Sequence, residues 1–176
     1  MEFYNAVVET ALLPKVEETA LQPVAPEYLQ VLRWNWRIAA FVSLAAIAAA
    51  WYFIPVLHSQ QWALILGSGW FVITAFRWLW VAQSFKRKAY AMRQHDIIYR
   101  SGWIIQETQV CPFNRIQHCS VSSGLFERRF GLASLSLYTA GSNEADFTVH
   151  GLHEATAITI RDFILQQIAP AGNEQS

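Results

Sequence analysis

The chain has 176 residues, of which 53% are hydrophobic, 14% aromatic and only 15% charged. Its 13 basic and 13 acidic side chains cancel to a formal net charge of zero, so the strongly basic balance of a nucleic-acid-binding protein is absent. The cancellation hides a partition: residues 1–32 hold five Glu and one Lys, residues 33–93 seven Lys or Arg and no acid, and residues 94–176 five Arg against eight acids.

Residues 1–26 show no clear period and are interrupted by Pro14, Pro23 and Pro26. Two readings of 5–13 stand open, a short amphipathic helix on a membrane surface or against a domain, and a loosely ordered tail. From Glu27 the run can continue unbroken as a helix, with Pro26 suited to its start.

Residues 38–57 carry no charge over 20 residues, and 62–81 have the same length with Arg77 as their one charge. At about 1.5 Å rise per residue each spans the roughly 30 Å hydrocarbon core of a bilayer. Joined by His58-Ser59-Gln60-Gln61, they predict a transmembrane helical hairpin. Ala48-Ala49-Ala50 resembles a signal-peptide cleavage site, but 37 mostly polar residues precede the first apolar run, which argues against cleavage.

The connecting loop has no Lys or Arg, whereas Arg33 and Arg37 precede the hairpin and Lys86, Arg87, Lys88 and Arg93 follow it. The positive-inside rule therefore predicts a multi-pass protein with both termini cytoplasmic and the connecting loop outside. Trp34, Trp36, Trp78 and Trp80 fall at the inner edge and Trp51 and Trp62 toward the outer one, as interfacial indoles do. Arg77 lies about one turn inside, within snorkelling reach of the headgroups or available as an ion-pair partner for another membrane subunit. Gly67 and Gly69 permit close helix approach without the four-residue spacing of the strong packing motif.

The remaining 80 to 90 residues suffice for one small domain. The breakers Gln94-His95-Asp96 and Ser101-Gly102 delimit short strands, and a further strand pair is predicted around 107–110 and 115–122. Alternation in the latter places Ile116, His118 and Ser120 on one side and Gln117, Cys119 and Val121 on the other. The 125–131 stretch reads as a tight turn or short helical bend between Gly124 and Gly131. Residues 133–141 alternate as a half-buried strand, 142–146 form a polar hairpin loop, and 147–151 return as a strand. A closing helix over about 153–168 sets Ile160, Phe163, Ile164 and Ile168 on one face and ends before Pro170. Antiparallel strands followed by one amphipathic helix predict a curved sheet or open barrel with the helix over its apolar opening.

Cys111 and Cys119, eight residues apart, would stand about 26 Å apart on one extended strand, too far for a disulfide; free thiols in a reducing compartment are expected. With His118 they make three donors, short of the four that structural zinc needs, and His118 faces away from Cys119. Neither His118 with Ser120 or Cys119, nor His150, His153 and Glu154, matches a catalytic spacing; the latter three are read as solvated or capping. Neither metal, cofactor nor catalysis is predicted. Arg128 and Arg129 admit two readings, an ion pair with Glu127 that fixes the bend or a contact to an anionic headgroup or partner. Lys86, Arg87 and Lys88 set topology and can also touch anionic lipid.

The run CPFNRIQHCSVSSGLFERRFGLASLSLYTAG (111–141), with FTVHGL ahead of the last helix, resembles the signature of the bacterial pleckstrin-homology-like (YdbS-like) membrane protein family. Cys119 stands where an aliphatic strand residue is expected. The resemblance implies an α+β architecture: an N-terminal cytoplasmic segment (1–32), the hairpin (33–83), a PH-like domain capped by its C-terminal helix (84–170), and a tail (171–176). It further implies a place in the bacterial cytoplasmic (inner) membrane and a membrane partner carrying PH-like domains. The resulting expectation is a non-enzymatic scaffold or binding module in a membrane complex, touching its partner through Arg115, His118, Arg128 and Arg129, or by self-association through an exposed sheet edge. The alternative is a lipid- or small-ligand-binding accessory in envelope maintenance.

Overall fold

A computed structural model describes residues 20–139 and 145–168; the 5–13 segment and residues 142–144 of the polar loop lie outside them. Strand β1 (Gln22–Pro23) leads into helix α1 (Tyr28–Phe53), and a 3-10 turn (Pro55–His58) connects this to helix α2 (Gln60–Lys86). Pro55 ends α1, because its ring disfavours helical backbone at the residue before it, and Ile54 is extended at φ −109° and ψ 100°. Both helices are long and apolar enough to cross a membrane, and their hydrophobic windows are not buried against protein. Across the hairpin the Trp70 indole Nε1–H donates to Ser43 Oγ at 3.0 Å. Gly67 and Gly69 do not make the helix contact: a Cβ at either would meet open space.

After α2 come β2 (Ala89–Met92), β3 (Asp96–Ser101), β4 (Glu107–Pro112), β5 (Ile116–Ser122), the short helix α3 (Leu125–Arg129), β6 (Leu132–Thr139), β7 (Phe147–His153) and helix α4 (Glu154–Ile168). They form two antiparallel sheets, β1-β2-β3-β4 and β5-β6-β7. The expected pairing of 107–110 with 115–122 does not occur. A 3-10 turn at Phe113–Arg115 swings the chain out of the first sheet, and β5 opens the second against β6. The simple alternation expected for β5 also fails at its start, where the register shifts between Ile116 and His118. This irregularity lets Ile116 join the core that Cys119 and Val121 pack against, while His118 stays exposed.

Helix α4 covers the second sheet, burying Ala157, Ile160 and Ile164 with Leu135, Leu137 and Val149. Residues 22–31, read from the sequence as part of a separate N-terminal segment, are built into this domain. Gln22 pairs with Tyr90 and Pro23 with Ala89, Ala25 N–H donates to Gly151 O at 2.9 Å, and Val24, Ala25, Tyr28 and Val31 are core residues. Gly151 adopts φ +76°, and a Cβ there would stand 2.6 Å from the Tyr28 ring, so only glycine lets helix α1 seat so closely.

Strand pairing gives the domain a membrane end and a distal end. β2 leaves the hairpin, so the pairs Ala89↔Arg100 and Ser101↔Glu107 return the 102–106 loop to the hairpin end. Trp103 there meets Trp80 of α2 edge to face at 5.3 Å. Helix α3 lies at the same end, with Phe126 stacked on Trp34 of α1 at 6.2 Å. The turn Phe113–Arg115 is distal, tied by Phe113 N–H to His95 O at 2.9 Å.

Candidate functional site

The second sheet has two unlike faces because β6 alternates from Ala133 to Tyr138, after a buried Leu132 at its start. Ala133, Leu135 and Leu137 point into the core, and Ser134, Ser136 and Tyr138 point outward. Register aligns three outer rungs: His118 with Tyr138, Ser120 with Ser136 and Thr148, and Ser122 with Ser134 and His150. His118 stacks on Tyr138 at 4.3 Å and 16°, and Ser136 Oγ and Thr148 Oγ1 are hydrogen-bonded at 3.2 Å. At the membrane end this face becomes a groove of about 580 Å³, with Tyr28, Val31 and Asn35 of α1 as one wall and the α3 segment as the other.

The groove's inner end is a fixed polar relay. Glu127 accepts from the Gly124 N–H at 2.9 Å and from Ser134 Oγ at 2.7 Å, and Ser134 Oγ lies 2.8 Å from His150 Nδ1. Since the hydroxyl proton goes to the carboxylate, the neutral imidazole must donate its Nδ1–H. Burial, with Lys88 adding to it, holds the His150 pKa below its ordinary value against the opposing charge of Glu127. The ring is stacked parallel to Tyr28 at 6.4 Å. His150 is therefore a packed structural imidazole and not the solvated or capping residue expected of it.

Serine, histidine and glutamate are the residue types of a hydrolytic triad, but here they are joined in the wrong order. The serine sits between the other two and is 4% exposed, with its proton engaged by the carboxylate and its lone pair by the imidazole. A nucleophile requires the base on its own proton and the carboxylate behind the base. The relay fixes α3 to the sheet and shapes the groove.

The residues singled out from the sequence are dispersed. Lys86 and Arg87 are exposed at the end of α2, but Lys88 turns inward. Its Nζ donates to Tyr99 Oη at 3.3 Å and lies 5.7 Å from that ring's centroid. Burial lowers the Lys88 pKa and pushes the Tyr99 phenol up to about 12. Arg128 and Arg129 are exposed on α3, and among the described residues neither is ion-paired. Glu127, their expected partner, is taken by the relay, and its bond to Gly124 is what fixes the bend. Arg115 is exposed at the distal end, the length of β5 away, about 20 Å at the usual strand rise. Only His118 shares the face on which the groove opens.

Cys111 is buried in β4, whereas Cys119 points toward α4 with Sγ 4.0 Å from Arg161 O, so these two and His118 do not converge. Both thiols are free, and burial raises their pKa values. Among the described residues no group of three or more His, Cys, Asp or Glu could hold a metal ion.

The domain end of the hairpin carries a layer of cation–π contacts. Arg33 lies over Trp78 at 5.0 Å, Arg37 over Trp34 at 5.0 Å and Trp78 at 5.9 Å, and Arg77 over Trp36 at 5.2 Å. Arg77 thus finds its partner on the neighbouring helix of its own chain.

A small two-sheet domain capped by a helix, grown around the first turn of a membrane helix, defines a membrane protein with a PH-like module. The sequence model of the family "Bacterial PH domain" matches residues 24–168, and the chain belongs to that family. The match begins at Val24, where the core begins. The chain is 26% identical over 143 residues to the transmembrane protein YdbS of Bacillus subtilis (strain 168), covering 78% of this chain and 84% of that protein. No solved structure is significantly similar to it.

Proposed function

We propose that the protein is a non-catalytic subunit of a membrane complex, in which the hairpin crosses the cytoplasmic membrane twice and presents the domain at the inner leaflet as a binding module. The observation that carries this reading is the groove between α1, α3 and the hydroxyl face of β5–β7. Its floor offers hydrogen-bonding groups without a nucleophile, metal set or basic cluster, which suits a polar segment of a partner protein better than a reactive substrate or an anionic headgroup. It opens at the root of the hairpin, where a partner held in the same bilayer is at high effective concentration. His118 continues the floor toward the distal end, and a membrane protein bearing further PH-like domains is a partner of matching architecture. Arg115 would extend the contact distally, whereas Arg128 and Arg129, exposed beside the hairpin, would meet headgroups.

The test is photocrosslinking in native membranes from a photoreactive residue at Asn35 or Ser122, with mass spectrometry of the adducts. The reading expects one dominant protein adduct from both groove positions. Adducts to lipid alone would overturn it in favour of a lipid-binding accessory.

A further inference from the structure

Two short segments at the membrane end of the domain expose large apolar side chains that its own core does not need. In the 102–106 loop Ile104 is 67% and Ile105 82% exposed, and at the start of α3 Leu125 is 86% exposed. The 102–106 loop is held in shape by Gly102 at φ +97°, where an added Cβ would overlap the Ile105 carbonyl oxygen. Leu125 is held by the Glu127 cap on Gly124. These are fixed displays on tight turns.

Both displays adjoin the domain end of the hairpin, one on each of its helices. Trp103, next to Ile104, touches Trp80 of α2, and Phe126, next to Leu125, stacks on Trp34 of α1. Trp34 belongs to the arginine–tryptophan layer that marks the inner interface. Trp80 lies three residues beyond Arg77, about 4.5 Å at helical rise. The interfacial zone is roughly 5–7 Å deep on each side of the hydrocarbon, so both contacts fall within it. Lys86, Arg87, Arg128 and Arg129 are exposed around this end, the sign that anionic headgroups attract.

We infer that the domain docks on the inner leaflet through two apolar prongs, Ile104-Ile105 and Leu125, which enter the interface beside the two helices of the hairpin and hold the domain at a fixed tilt. The occupant of this surface is the lipid leaflet, because the surface is continuous with the belt of the hairpin. The inference rests on the reading that the hairpin spans the bilayer.

The experiment uses the full chain with Cys111→Ala and Cys119→Ala in nanodiscs containing phosphatidylglycerol. Single cysteines at Ile105, Leu125, Asn114 and Ile73 carry an environment-sensitive fluorophore and are read against phospholipids spin-labelled at a shallow or a deep position. The 105 and 125 labels are expected to be quenched several-fold more by the shallow probe than by the deep one, with 114 unquenched and 73 quenched by the deep probe. Quenching at 73 with 105 or 125 as unquenched as 114 overturns the docking alone. Loss of quenching at 73 overturns the spanning hairpin as well. A photoreactive residue at 105 or 125 with both native cysteines present gives a second readout independent of the cysteine replacements: lipid adducts support the docking, and their absence at both positions contradicts it.

Discussion

At the scale of single residues, the relay Glu127–Ser134–His150 makes the fold sensitive to pH. The folded state holds the imidazole neutral, so its pKa lies below the ordinary 6.5 of the unfolded chain. Between the two values the unfolded state binds more protons, and stability therefore rises with pH there. It is complete above about pH 6.5 and is lost as pH falls toward the folded value. The groups facing the ring are Ser134, Tyr28, Lys88 and Glu127. Thermal unfolding followed across mild acid should show this slope in the wild type and a shallower one in His150→Gln. Ser134→Ala should cost about 1 kcal/mol at neutral pH, because it leaves the half-buried Glu127 carboxylate and His150 N–H without the hydroxyl that joins them. An unchanged slope in His150→Gln would remove the relay from the account. Little of this was legible in the sequence. The alternation of β6 announces a polar outer face, but that Glu127 and His150 meet across Ser134 depends on α3 folding back over the sheet.

At the scale of elements, the root of α1 is as much a part of the domain as any strand. Tyr28 and Val31 are buried and β1 completes the first sheet. The sequence shows Glu27 onward as a helix, and the apolar run from 38 dominates its pattern, so the first turns read as an approach to the membrane. Their burial depends on Gly151, more than a hundred residues away, and no local period records that. The break between β4 and β5 was readable, but that the two strands join different sheets was not. Pro112 ends β4, and the 3-10 turn at Phe113–Arg115 that follows it, which no local period announces, decides which sheet each strand joins. A fragment of residues 84–168 should accordingly lack cooperative unfolding, since deletion of Tyr28 alone removes a core aromatic of the size whose loss typically costs about 3–5 kcal/mol. Restoring residues 20–32 through a flexible linker should recover cooperativity. Circular dichroism melts of the two constructions would decide, and a cooperative transition in the shorter fragment would contradict the assignment.

At the scale of the whole molecule, the hairpin and the α+β domain were both readable, because 20-residue apolar runs and strand alternation are strong local signals. The 111–141 run also pointed to the family that the match over 24–168 shows. The arrangement of the surface was less readable. The basic cluster splits, with Lys88 drawn inside by Tyr99, and the arginines grouped as one partner contact end up at opposite ends of β5. What unites the surface is polarity along the membrane normal: apolar prongs and free cations at the hairpin end, a hydroxyl groove rising from it, and Arg115 distal.

The central claim is that this whole construction stands on the cytoplasmic side of a hairpin that crosses the bilayer twice. Single cysteines at Ser59, in the short connection, and at Asn114, at the distal end, test it in intact cells of a chain with Cys111→Ala and Cys119→Ala. A membrane-impermeant thiol reagent should label Ser59→Cys from outside and Asn114→Cys only after the membrane is opened. Labelling of Asn114→Cys in intact cells, or protection of both positions until lysis, would contradict the account.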